Sequence, residues 1–456
     1  MNVSTSGAGG IGVSGRIGVS DRLERLPITK FHKIVNGMLF LSWLCEAIDL
    51  GGTSFMMPVI MKAFNLTKAQ GGYYSSIGFL GMFFGSLIIP ALSDKFGRKK
   101  MVIASMMIWG CAGLVMSQAP TVTVLFAARF FLGFGLGAQL PVAIAYISES
   151  VPSHSRGKYI TLLQMFLPIG MAVAGLLTVI VLPQYGFRGC YFVEALPALM
   201  FLAVWKVCPE SAYWLESVGK TKEADKIVDL WESKALAELG GKPLPPIAVK
   251  ESAAADDKES AKISDLFTRK YAKLIVMCFF AWGALLMSDY GLTTWLTQLL
   301  TGKGFDVIKS TGFVTIGILG GIPAWFFAAW AIEKFGRKKA ILAASIMTAV
   351  FAYFYGLSTS IIMVILLGIL YQFGKYTLAM TTTAYLPELW ETHIRATGTG
   401  TAYSFGRLGS IAGPIFLAWV MTTYGGNAVF YAAAAIALIV GIAIMALGPE
   451  TKGRVF

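Results

Sequence analysis

Asp94-Lys95-Phe96-Gly97-Arg98-Lys99-Lys100 occurs twice in this chain, returning 239 residues later as Glu333-Lys334-Phe335-Gly336-Arg337-Lys338-Lys339. Tyr146, Glu149, His154 and Arg156 return at the same offset as Tyr385, Glu388, His393 and Arg395. Pro209-Glu210-Ser211 comes back as Pro449-Glu450-Thr451, at 240. Long apolar stretches fill the space between these matches. The chain is therefore two like halves, and the repeated polar pieces are the short joints between apolar runs.

At 56% hydrophobic and 14% charged, the chain lies well below the about 25% charge of soluble domains. Its 50 glycines fit closely packed membrane helices. Twelve apolar spans lie near 34–62, 71–92, 101–119, 121–149, 157–183, 189–207, 272–300, 310–332, 340–357, 360–386, 397–423 and 428–448. Each is long enough for a hydrocarbon core that takes roughly 20 residues. An all-α membrane protein of two six-helix halves is expected, the arrangement with which secondary transporters expose a central site to each side in turn.

The net charge of +13 invites a nucleic-acid partner, but its placement argues otherwise. Lys and Arg gather before span 1, between spans 2 and 3, 4 and 5, 6 and 7, 8 and 9, and at the C-terminus. The opposite loops carry little beyond Lys62, Lys68, Arg188, Lys303 and Lys309. This bias places both termini and the central loop in the cytoplasm of a cell bounded by this plasma (inner) membrane. Cys45, Cys111, Cys190, Cys208 and Cys278 all fall within or at the ends of apolar spans, so no disulfide framework is expected.

Residues 1–33 read as a Gly/Ser-rich tail, without the apolar core of a signal peptide, followed by an amphipathic lead-in from Asp21 to Lys33. Residues 34–208 form the N-terminal six-helix bundle, 209–271 a cytoplasmic linker, and 272–456 the C-terminal bundle with a short tail. Within the linker, 221–239 has helical character, while 250–262 is charged and Ala/Ser-rich.

These motifs resemble those of the major facilitator superfamily over nearly the whole chain. Gly85 to Lys100 is similar to its loop between spans 2 and 3. Arg129-xxx-Gly133-x-Gly135-x-Gly137, continuing to Glu149-xx-Pro152-xxx-Arg156-Gly157, is similar to its fourth span and following loop. The resemblance implies that a charge network clamps the cytoplasmic side: Asp94, Arg98, Glu149, Arg156 and Glu210 in one half, Glu333, Arg337, Glu388 and Arg395 in the other. Gly97 and Gly336 permit the tight turns. For Lys99, Lys100, Lys338 and Lys339 simple anchoring by positive charge is the preferred reading.

Ala384-Tyr385-Leu386-Pro387-Glu388-Leu389, followed by Ile394-Arg395-Ala396-Thr397-Gly398-Thr399-Gly400, resembles the synaptic-vesicle-protein-like and organic-ion transporters. Glu46-Ala47-Ile48-Asp49 and Leu140-Pro141-Val142-Ala143 resemble bacterial nicotinate transporters and the aromatic-acid:proton symporters, which typically have Asp where Glu46 stands. Span 7 lacks the Gln-Gln-x-x-Gly-x-Asn run of sugar porters, and span 5 lacks the Gly-Pro-x-x-Gly-Gly run of drug antiporters. Both absences favour an organic-acid symporter.

An ionised side chain at mid-bilayer costs roughly 2.5–3.5 kcal/mol on insertion scales, so each stranded one points to function. Six lie well inside apolar spans: Glu46 and Asp49 in span 1, Arg129 in span 4, Asp289 in span 7, Lys375 in span 10 and Arg407 in span 11. Glu46 and Asp49 share one helix face. Two close, desolvated carboxylates resist joint ionisation, which suits a proton-coupling site. A static ion pair of Asp49 with Arg129, which the resemblance places on an adjacent span, is the competing reading. Asp289 sits 240 residues after Asp49, where the family commonly has a neutral residue.

In organic-ion transporters resembling this chain, anion carriers have a basic residue at the position of Arg407, so an anionic substrate is implied, and a guanidinium suits a carboxylate bidentately. Lys375, on a face with Tyr371 and Gln372, is either a second anion contact or a counter-ion of Asp289. Trp282, Tyr371 and Tyr403 share faces with the charges and are candidates for stacking a planar ring, against ordinary packing.

No nucleophile constellation, metal-ligand spacing or phosphate-binding loop is present, so neither an enzyme nor a cofactor or metal is expected. The sequence predicts a proton-coupled symporter importing a small organic anion, an aromatic carboxylate such as nicotinate or a benzoate, by alternating access. Its expected partners are protons, that anion and the lipid bilayer, with no nucleic acid, and it is expected to act as a monomer. A sugar or polyol:proton symporter, an organic-cation carrier and, more remotely, a non-transporting receptor are the alternatives.

Overall fold

The computed structural model describes residues 18–240, 243–246, 263–391 and 394–452, and among these every regular element is helical. Long apolar helices run over Lys30–Ala63, Lys68–Phe96, Arg98–Ser117 and Val122–Ser150 (spans 1 to 4), then over the continuous stretch Ser153–Val207. At 1.5 Å per residue that stretch would be about 80 Å long if straight. It reverses instead at Gly186, whose φ of 63° and ψ of −171° break the helix, so 153–185 is span 5 and 187–207 is span 6. Glycine meets that left-handed geometry without a Cβ clash. Spans 7 to 12 are Ala272–Gly302, Val307–Phe335, Arg337–Leu357, Ile361–Glu388, Thr397–Tyr424 and Gly426–Leu447. Among the described residues the crossings number twelve, as the sequence predicts, with the fifth and sixth joined without a loop.

Within the first half, span 1 packs on 5, span 2 on 4, and span 3 on 4 and 6; the second half repeats this with 7 on 11, 8 on 10, and 9 on 10 and 12. Glycine sets the closest approaches. A Cβ on Gly133 would collide with the Gly78 carbonyl, and one on Gly81 with that of Phe130, so spans 2 and 4 touch backbone to backbone. Outward-facing Phe131, Leu176, Ile180, Phe326 and Ile362 are exposed, a belt that only lipid would cover.

The halves meet along spans 1 and 7, 2 and 11, and 5 and 8. Ser54 Oγ donates to the Thr293 carbonyl and Ser76 Oγ to the Ile411 carbonyl at 2.6 Å. Both contacts lie in the half of the membrane away from the linker, hereafter the far side. Gly72 against Pro414 and Gly175 against Thr315 close the same side. Among the described residues no ion pair crosses between the halves.

The lead-in does not lie free at the interface. Helix Val19–Glu24 is docked on linker helix Thr221–Glu238, with Arg22 holding Glu232 and Asp229 at 2.6 Å each and Arg25 holding Glu232 at 2.7 Å. Burial opposes ionisation of Glu232, but the two guanidiniums outweigh it and hold its carboxyl below the usual range. Residues 1–17 of the expected tail, 250–262 of the linker, and His393 fall outside the described residues.

Candidate functional site

On the linker side the repeated motifs build one latch in each half. Gly97 and Gly336, at φ of 106° and 86°, turn the chain between helices. Arg98 then reaches Glu149 at 2.8 Å and Asp94 at 2.6 Å, and Arg337 reaches Glu388 at 2.8 Å. Tyr146 and Tyr385 donate to the carbonyls of Pro209 and Pro449 at 2.5 and 2.7 Å. Glu210 accepts the Lys99 amide at 3.0 Å, and Glu450 accepts those of Arg337 at 3.0 Å and Lys338 at 3.3 Å.

The Pro-Glu-Ser and Pro-Glu-Thr repeats thus supply a carboxylate to the N-terminus of spans 3 and 9, where free amides and the helix dipole favour negative charge. Burial works against an ionised Glu450, but the amides of Lys452, Arg337, Lys338 and Thr451 together hold its carboxyl below the usual range.

Four residues expected in these networks stand apart from the arginine–glutamate pairs. Glu210 caps a helix rather than meeting an arginine. Arg156 extends to Glu24 of the lead-in at 3.5 Å, and Arg395 donates to the Trp390 carbonyl at 3.2 Å. Glu333 is exposed and, unlike its counterpart Asp94, makes no ion pair among the described residues.

In the first half's centre, Arg129 Nη1 lies 2.7 and 2.9 Å from the two oxygens of Asp49, with both side chains buried. The guanidinium fits because Gly78 has no side chain: a Cβ there would sit 2.6 Å from Nε. Its face covers the Tyr74 ring at 5.8 Å, and Tyr74 and Tyr191 share a hydroxyl hydrogen bond of 2.5 Å. Sequence reasoning missed Glu194. It enters this cluster from span 6 through the gap left by Gly52, and it lies within electrostatic reach of Asp49 and Arg129. Both of its carboxylate oxygens are buried without a hydrogen-bond partner. The signal was an acid inside the apolar span 189–207, near its start.

Glu46 shares a helix face with Asp49, lies within electrostatic reach of both Asp49 and Arg407 of the other half, and leaves Oε2 buried and unpartnered. Arg407 is 9% exposed, lies over the Tyr403 ring at 5.4 Å, and among the described residues has no carboxylate within ion-pair distance. Trp282 meets Tyr403 edge-on at 5.0 Å and is wedged against Gly406. These residues form one aromatic-lined cationic corner.

Lys375 Nζ lies 2.8 Å from Asp289 Oδ1 and over the Tyr376 ring at 4.5 Å. The pair lines a cavity of about 30 Å³ walled by Leu50, Phe79, Leu167 and Met171 of the first half and by Tyr290, Thr293, Thr294 and Tyr376 of the second. Tyr371 packs on Tyr355 at 6.2 Å and lies within electrostatic reach of Lys375 and Asp289. Gln372 is buried with Oε1 unpartnered. The structure brings Asp49 with Arg129, Asp289 with Lys375, and Glu46 toward Arg407.

A profile of sugar (and other) transporters matches residues 45–456. The chain belongs to that family. It is 35% identical over 434 residues to the niacin transporter NiaP of Acinetobacter baylyi, covering 95% of this chain and 97% of that protein. It is 30% identical over 417 residues to the putative niacin/nicotinamide transporter NiaP of Bacillus subtilis, covering 91% and 96%. The partially occluded, inward-open xylose transporter XylE from E. coli superposes with a TM-score of 0.75 over 94% of this chain and all of that one, at 16% identity. The fold is that of the major facilitator transporters. The protein is a multi-pass membrane transporter, and its relatives are transporters rather than enzymes.

Proposed function

We propose that this transporter is a proton-coupled symporter that imports a small aromatic monocarboxylate, of the nicotinate or benzoate kind, across the plasma membrane. The observation that carries the anionic class is Arg407, a buried guanidinium with no carboxylate of its own, framed by Tyr403 and Trp282. A carboxylate substrate satisfies the fork bidentately while its ring meets the aromatic edges. The niacin transporters it resembles support the same class, whereas the likeness to a xylose transporter, at 16% identity, speaks for the fold alone.

Proton coupling is assigned to the Asp49–Arg129 pair, with Glu46 and Glu194 as neighbouring carboxylates. The Lys- and Arg-rich joints support a cytoplasmic linker side with both termini there. The latches at Arg98 and Arg337 brace that side during alternation. The test is uptake by purified protein in liposomes from a panel of labelled acids, sugars and amines, with and without a pH gradient. Arg407→Ala should bind nicotinate or benzoate at least tenfold more weakly while remaining folded. Undiminished acid uptake by that variant overturns the anionic assignment.

A further inference from the structure

Linker helix Thr221–Glu238, the short helix Ala212–Ser217 and the linker-side ends of spans 3 and 6 frame a groove of about 690 Å³. All of its lining residues belong to the first half and the linker, so it stands apart from the path between the halves.

The groove changes character along its length. Lys99 and Lys100, at the start of span 3, meet Lys220 and Lys226 of the linker, with Glu210 and Glu223 among them. Both acids are already engaged: Glu210 Oε1 accepts the amides of Lys99 and Ser211 at 3.0 and 2.9 Å, and Glu223 lies 3.5 Å from Lys220. Lys99, Lys100 and Lys226 make no ion pair among the described residues. Beyond the lysines the walls are apolar. Met107 lies further along span 3 than Lys99, about 12 Å deeper at 1.5 Å per residue, inside a hydrocarbon core about 30 Å thick. Met107 and Trp205 are 47% and 62% exposed, so the groove opens sideways into the belt that lipid covers.

We propose that this groove binds one anionic phospholipid of the linker-side leaflet, its phosphate among Lys99, Lys100, Lys220 and Lys226 and an acyl chain along Met107 and Trp205. Charge and shape both select that occupant. A soluble anion meets the lysines but leaves the apolar trough bare. A zwitterionic lipid fills the trough but brings its own cation to the lysines, whereas an anionic head brings only the charge they attract. The bound head joins the linker helix to the start of span 3, beside Arg98 of the latch. Lys338 and Lys339 hold the equivalent places on span 9 and line no part of this groove, so the duplication supplies its own control.

The experiment is native mass-spectrometric titration of the delipidated, full-length protein in detergent with phosphatidylglycerol, beside phosphatidylcholine and inorganic phosphate. Wild type should retain one phosphatidylglycerol at least tenfold more tightly than phosphatidylcholine. Lys100→Gln with Lys226→Gln, both at exposed positions, should weaken that adduct by about fivefold for each lysine removed. Met107→Trp keeps every charge but fills the trough, and should weaken it at least threefold. Lys338→Gln with Lys339→Gln removes the same charge from the other half and should leave it unchanged. Equal affinity for the two lipids, or equal loss in the two double variants, overturns the site and leaves only the general attraction of a basic face. Displacement of the lipid by millimolar inorganic phosphate makes it a soluble-anion site and overturns the lipid assignment. An undiminished adduct in Met107→Trp refutes the acyl seat, and with it the proposal.

Discussion

Asp49→Asn separates a coupling residue from a structural one, and the structure supplies the size of each effect. Asp49 gives both of its oxygens to Arg129 Nη1, at 2.7 and 2.9 Å, in a site closed to water. Breaking a buried pair by removing one partner typically costs about 3–5 kcal/mol, because the remaining charge is stranded. Here Glu194 stands by with two unpartnered oxygens, so the single substitution should cost less than that range. Asp49→Asn together with Glu194→Gln should cost the whole of it.

The transport side has its own arithmetic. Each coupled proton supports about tenfold accumulation per unit of pH gradient, since one unit is worth about 1.4 kcal/mol. Liposomes holding the Asp49→Asn variant should exchange substrate across the membrane, because exchange needs no proton release, while pH-driven accumulation falls about tenfold. Exchange and accumulation are measured on the same preparation, with thermal inactivation in detergent as the stability control. Accumulation at the wild-type level would remove Asp49 from the coupling role. Parallel loss of exchange, accumulation and folded protein would make the pair a structural strut.

Charge reversal at Arg98 sets a new carboxylate beside Asp94 and Glu149 and forfeits hydrogen bonds worth about 1.5–3 kcal/mol; a cysteine placed at buried Ile147 should label faster, and unchanged labelling would reduce this loop to a topological anchor. Gly133→Val drives a side chain into the Gly78 carbonyl, backbone against backbone, and should abolish a monodisperse peak on size-exclusion chromatography. Gly157→Val, where nothing lies within 4 Å, should elute as wild type; equal behaviour of the two would mean that spans 2 and 4 are not in contact.

The crossings and the two halves were legible because membrane solvation writes them as long apolar runs and duplication writes them twice. Charges inside those runs were legible for the same reason. Two of their pairings, Asp49 with Arg129 and Lys375 with Asp289, stood among the alternatives, but spacing could not choose between them, because pairing depends on where helices rotate. Glu46 and Asp49 stand three residues apart, yet only Asp49 has an arginine within ion-pair distance, and neither periodicity nor spacing says so. Glu194 stands near the start of the apolar run 189–207, and the vacancy at Gly52 that admits it is visible only in three dimensions. The latch motifs signalled that something happens at Pro209-Glu210-Ser211 without saying what. An acid that caps a helix begun a hundred residues earlier leaves no local trace.

The latch has a further consequence for descent. Every component of it lies within one half: the turn glycine, the arginine and its glutamate, the tyrosine and the proline carbonyl, the capping acid. A chain of half this length would already own a complete copy. Doubling such a chain needs no new invention at the joint, and afterwards each copy is free to diverge at its centre while its frame is inherited unaltered. The closely matched loops and the dissimilar pairs Asp49–Arg129 and Asp289–Lys375 are what that history leaves behind.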